Sequence, residues 1–175
     1  MRYADDFVIL ARFQSRRLRD WVESTLEGRF RLQINRQKTQ VVNLTVPGAS
    51  LDFLGFTFRY DRDLYGRDRH YLNVFPSRKA VDRAREKLRE LTDSRRCFVP
   101  VTDMIDDINR WSQGWAGYFS HGYPQTVFHT LNGFLTARLT KHLQRRSQRS
   151  FRCAEGRTFY AHLRALGLRI LERPP

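Results

Sequence analysis

Cysteine is scarce in this chain of 175 residues: Cys97 and Cys153 are the whole complement. Two thiols so far apart build neither a disulfide framework nor a four-cysteine zinc site. The five histidines show no zinc-ligand spacing beside them. No apolar run approaches the roughly 18 residues that a membrane-spanning helix needs. The opening MRYADDFVIL places two aspartates where a secretory leader would carry positive charge. These shortages argue for a reducing, cytoplasmic setting and against a membrane partner.

Acidic residues are also short: 18 Asp+Glu face 32 Lys+Arg, a net charge of +14. The excess is spread along the chain, at +4 over residues 1–75, +7 over 76–150 and +3 over 151–175. What is present is apolar and aromatic material, 41% and 13% of residues, enough for a core and against wholesale disorder. A folded, aromatic-rich chain of this charge points first to nucleic acid. A structural or merely soluble basic protein is the plainer alternative.

Periodicity predicts an α+β chain. Arg2-Tyr3 and residues 7–11 read as short strands, and 15–28 as a helix that Gly28 stops. Residues 30–34 and 41–44 read as further strands. Leu54, Phe56, Phe58 and Tyr60 fall on one strand face at period two, and a polar loop joins that strand to residues 70–74. At Pro76-Ser77 the pattern turns helical, with Ser77 as a plausible N-cap and Val81, Ala84, Leu88 and Leu91 on one face. Residues 92–101 read as a linker. Helices are expected over about 102–119 and 125–146, and a short one near 158–166 closed by Gly167. The expected division is 1–75, 76–150 and a C-terminal extension, 151–175.

Asp5 and Asp6 sit at a predicted hairpin tip. Adjacent carboxylates repel, and a hard divalent cation such as magnesium relieves that repulsion. Two such ions can activate an attacking hydroxyl and stabilise a leaving oxygen. An Asp-Asp pair alone says little, since Asp106-Asp107 repeats it inside a predicted helix without any chemical context.

The surroundings say more. Tyr3-Ala4-Asp5-Asp6, between Arg2 and Phe7-Val8-Ile9-Leu10, resembles the catalytic hairpin of reverse transcriptases. Leu32 to Thr39, ending in Lys38-Thr39, looks like the next palm block. Phe53-Leu54-Gly55-Phe56 looks like the primer-grip strand. Pro76-Ser77-Arg78-Lys79 opens a helix as the family's thumb does, and Trp111, Gly114-Trp115 and Tyr118-Phe119 resemble its second thumb helix. Five blocks in this order resemble a group II intron-encoded reverse transcriptase and maturase, over its last palm strands and its thumb or X domain.

The resemblance implies an RNA-directed DNA polymerase fold of partial palm and three-helix thumb, using Mg2+ and dNTPs on an RNA/DNA template-primer and binding intron RNA. It implies that Asp5 and Asp6 are metal-binding and catalytic, that Lys38 donates a proton to pyrophosphate, and that Tyr3, Phe53, Leu54 and Gly55 lie along the primer and template. Arg78, Lys79, Arg138, Lys141, Arg145, Arg146 and Arg149 would contact RNA; the last five lie in a run without an acidic residue, so helical ion pairs do not occupy them. Core packing is the simpler role for Leu54, Phe56, Trp111 and Trp115. No residue matches the family's fingers or its upstream palm aspartate, so the expectation is that this chain alone does not polymerise and that a separate fingers–palm segment is a potential partner. The alternatives are an intron-RNA-binding module without chemistry, and a related enzyme of CRISPR loci or diversity-generating elements.

Overall fold

The computed structural model describes residues 2–3, 6–13, 15–63, 67–149, 151–153 and 156–173. The chain is α+β and divides into two compact units, Met1–Ala49 and Ser50–Pro175. The change from strand to helix at residue 76, read from the sequence as the boundary, falls inside the second unit.

In the first unit β1 (Arg2–Tyr3) pairs antiparallel with β2 (Asp6–Phe7), Arg2 opposite Phe7 and Tyr3 opposite Asp6. The expected strand over 7–11 is therefore confined to its first residue. Helix α1 (Arg16–Glu23) starts where the Ser15 hydroxyl accepts from Leu18 N–H at 3.2 Å. It runs on as a π-helical turn, Ser24–Arg29, so Gly28 lies within the helical path and does not end it. Residues 30–34 and 41–44 form no strands. Alternation makes a strand only where a neighbour takes up its backbone hydrogen bonds, and no described segment pairs with either run. Asn35 instead turns the chain: its carbonyl accepts from Lys38 N–H at 3.1 Å and from Thr39 N–H at 3.0 Å. No described side chain from Phe7 to Ala49 is fully buried.

The second unit opens with a three-stranded antiparallel sheet, β3 (Ser50–Phe53), β4 (Phe56–Arg62) and β5 (His70–Pro76). The single strand expected through Leu54 is in fact a tight hairpin. Phe53 pairs with Phe56, and both intervening residues have positive φ, 50° at Leu54 and 80° at Gly55, as the favoured two-residue hairpin turn demands. Strands β4 and β5 pair from Phe56–Pro76 to Arg62–His70, in line with the hairpin and long loop read from the sequence.

Among the described residues four α-helices follow: α2 (Arg78–Leu91), α3 (Val101–Tyr118), α4 (Gln125–Arg145) and α5 (Phe159–Ala165). Ser77 caps α2, accepting from Ala80 N–H at 3.3 Å. The predicted apolar stripes meet: Ala84 and Leu88 of α2, Met104 and Ile108 of α3, and Leu131, Leu135 and Leu139 of α4 are buried in one core. Trp115 stacks on Phe119 at 4.5 Å between centroids, which makes it a packing residue.

Two arginines cap the end of α2. Arg138 donates to the Thr92 hydroxyl at 3.1 Å and to its carbonyl at 3.3 Å, and Arg96 donates to the Leu91 carbonyl at 3.2 Å. Cations are favoured at helix C-termini, where carbonyls lack partners. His142, 7% exposed, packs here. Burial holds its pKa below the ordinary 6.5; the Thr92 backbone opposes this, and Arg146, Arg138 and Arg96 add to it.

α5 and the segment after it pack onto the core, burying Leu163 from the helix and Leu168 and Leu171 from the segment. Two asparagines hold its backbone from both sides. Asn109 donates to the Gly167 carbonyl at 2.9 Å and accepts from Arg169 N–H at 2.8 Å. Asn132 does the same with Leu171, at 2.9 and 2.8 Å.

Asn132→Ala removes two hydrogen bonds and strands part-buried backbone groups, and is expected to cost about 2 kcal/mol. Asn109→Ala, at a more exposed site, should cost about 1 kcal/mol. Denaturant midpoints at unchanged slope check both. His142 gives a pH dependence. Its folded pKa lies below the unfolded 6.5, so the unfolded chain takes the proton first. Stability is full above pH 6.5 and is lost as pH falls from there towards the folded pKa. The thermal midpoint should drop on going below pH 6.5, and His142→Leu should flatten that drop.

Candidate nucleic-acid interface

Three of the blocks singled out in the sequence meet at the β3–β4 turn. The Tyr118 hydroxyl donates to the Leu54 carbonyl at 2.9 Å. Ser77 N–H donates to the Gly55 carbonyl at 2.7 Å. A side chain at Gly55 would place its Cβ 3.2 Å from the Phe119 ring, so glycine serves both the positive φ and the close approach. Phe56 packs against Phe119 at 4.9 Å and Tyr118 at 5.6 Å between centroids. The turn is thus gripped by the start of α2 and the end of α3. Farther along β5, Tyr123 N–H donates to the Val74 carbonyl at 2.7 Å, and a Cβ on Gly122 would meet that oxygen at 2.2 Å. The α3–α4 connection therefore lies directly on the strand.

One sheet face is polar. Arg59 pairs with Asp61 at 2.7 Å, Asn73 donates to the same carboxylate at 2.6 Å, and the Arg59 guanidinium lies over the Phe75 ring at 5.2 Å. The hydrogen bond from Arg59 holds the Asp61 pKa down against the effect of burial, with Asn73 adding to it. These charges neutralise one another within the sheet.

The residues expected to do chemistry lie in the first unit. Asp5 lies outside the described residues. Asp6 stands on β2 opposite Tyr3 on β1. Lys38 is exposed in the Asn35 turn. Among the described residues no group of three or more His, Cys, Asp or Glu side chains could hold a metal ion.

The basic residues divide by environment. Arg138 is taken up by Thr92, so its place in the RNA-contacting set gives way to a capping role inside the protein. Arg78 and Lys79 are exposed in the first turn of α2. The helix dipole disfavours cations there, and the contact of Arg78 with Asp82 is a loose 4.0 Å. Lys141, Arg145 and Arg149 are exposed and Arg146 is half-buried. Among the described residues no carboxylate comes within salt-bridge reach of these four.

They face two hollows. Lys141 and Arg145 border an 850 Å³ groove between α4 and the returning segment, opposite Tyr160 and Ile170. Arg146 and Arg149 border a smaller hollow of 460 Å³ with Phe151 and Arg152. Arg152 was legible as a continuation of the basic run past Arg149. Tyr160 was not, because only the fold-back of the chain brings it to α4.

Residues 81–159 match the family model for the group II intron, maturase-specific domain. No curated protein matches the chain. The matched stretch runs from the first turn of α2 to the first residue of α5 and holds both arginine-lined hollows except for Tyr160 and Ile170. Over residues 81–159 the helical part of this chain is similar to the maturase-specific domain of group II introns.

Proposed function

We propose that this chain binds the structured RNA of a group II intron, acting as a maturase. The observation that carries the reading is the end of α4. Lys141, Arg145, Arg146 and Arg149 stand in its last turns and just beyond it, without a described carboxylate partner and within the maturase-specific match. A cation left unpaired by its own protein is available to neutralise phosphate and release counterions. Arg78 and Lys79 extend the contact at the start of α2, where their charge opposes the helix dipole and gains nothing for folding.

A second reading, RNA-directed DNA polymerase, is favoured by one feature: the Leu54–Gly55 turn is fixed between Ser77 and Tyr118. In this reading Phe53, Leu54 and Gly55 support a primer strand, Tyr3 lies near its end, and Lys38 supplies a proton to pyrophosphate. Asp5 and Asp6 would bind Mg2+, which contributes charge stabilisation at the phosphoryl group when present. Template-primer, dNTPs and a fingers–palm segment are the partners it requires. Primer extension on an RNA template, with Asp5→Asn as the control, tests it.

For RNA binding, affinity for an intron transcript should fall linearly with log salt. Four phosphate contacts predict a slope of about −2.8 for single-stranded regions. Replacing Lys141, Arg145, Arg146 and Arg149 together by alanine should flatten most of that slope, and Asp6→Asn should leave affinity unchanged. Fluorescence anisotropy across a salt series measures both. A wild-type slope near zero defeats the reading.

A further inference from the structure

The groove between α4 and the segment after α5 has a composition that the maturase-domain match does not explain. Its floor is one stripe of α4 at four-residue steps: Gly133, Ala137, Lys141 and Arg145. Side-chain length grows along the stripe from nothing to a guanidinium. At one end the helix backbone is open to close approach, since a Cβ on Gly133 would meet nothing within 4 Å. At the other end two cations stand one turn apart, about 6 Å along the axis.

The opposite wall carries Tyr160, half exposed. That wall is fixed in advance, because Asn132 holds the Leu171 backbone by both N–H and C=O. Thr140 and Gln144 line the groove beside the cations, and among the described residues no hydrogen bond of their side chains to the protein is found. No acidic residue lines it.

We propose that this groove seats the sugar–phosphate backbone of one RNA strand. Lys141 and Arg145 take successive phosphates, the Gly133–Ala137 floor lets the strand lie close to the helix, and Tyr160 offers a ring to an adjoining base. Bases stack on such rings without regard to sequence. Thr140 and Gln144 match the ribose hydroxyls, which both donate and accept. This rests on the RNA-binding reading and locates it on one face of α4, distinct from the Arg146–Arg149 hollow. An acidic polypeptide would use the two cations but leave the neutral donors and the aromatic ring without a role.

The test fills the groove without unsettling the fold. Gly133→Leu with Ala137→Leu projects side chains into open space and replaces a mid-helix glycine, so the thermal midpoint should hold or rise. Binding of a fluorescein-labelled single-stranded RNA of mixed sequence to the full chain should weaken about tenfold, and Lys141→Ala with Arg145→Ala should lower the salt slope by about 1.4. Arg146→Ala with Arg149→Ala serves as the comparison on the other hollow. If the wild type binds RNA and both groove variants bind it equally well, the groove assignment fails and the RNA-binding reading stands. If labelled poly-glutamate binds the wild type, loses affinity in the groove variants, and RNA affinity does not change, the occupant is an acidic polypeptide and the proposal is overturned. If the wild type binds no RNA, both fall together.

Discussion

Two backbone carbonyls at the tip of a hairpin join the sheet to the helices. Those of Leu54 and Gly55 point away from their own strands because both residues take positive φ, and they find donors on Tyr118 and Ser77. A leucine in this conformation costs of order 1 kcal/mol. The two hydrogen bonds and the packing of Phe56 on Phe119 offset that cost. The rest of the second unit follows from this junction. Helix α2 leaves directly from β5 through a capping serine, α3 ends against the turn, and the connection into α4 rests on β5 at Gly122. The sheet and helices are one body because their termini share these few residues.

Within that body, charge is sorted by use. Arginines needed for folding are satisfied internally: Arg59 by Asp61, Arg96 by Leu91 and Asp107, and Arg138 by Thr92. Among the described residues, Lys141, Arg145, Arg146 and Arg149, at the end of α4 and just beyond it, have no carboxylate within salt-bridge reach. Net charge gives no such separation. It shows that a polyanion is a plausible partner, whereas the internal hydrogen bonds show which cations remain available to it.

The helical half was largely legible in the sequence. The stripes through Ala84–Leu88, Met104–Ile108 and Leu131–Leu139 have the 3.6-residue period, and Ser77 and Thr158 sit at caps with donors three residues on. Local rules suffice where a helix satisfies its own backbone. Strands depend on a neighbour, and there the reading held for the β4–β5 hairpin but not elsewhere. The alternating runs at 30–34 and 41–44 lack a pairing partner among the described residues, and the run through Leu54 conceals a turn because leucine seldom adopts positive φ. Among candidate site residues, Lys141, Arg145 and Arg149, singled out by their acid-free run, are exposed. Arg138 misled because its partner, Thr92, lies 46 residues away. Tyr160 and the two asparagines carried no signal, since their roles arise only when distant segments meet.

The returning segment bears on how the chain acquires its structure. Asn109 and Asn132 grip residues 58 to 60 and 39 positions downstream. Leu168 and Leu171 enter the core by the same route. During synthesis α2, α3 and α4 emerge with that side of their core open. At a ribosomal pace of about 5–20 residues per second, their apolar faces wait on the order of seconds for the closing strand. The helices are therefore an incompletely covered surface until residue 171 has been made and its backbone can meet the two amide side chains that hold it in the folded protein.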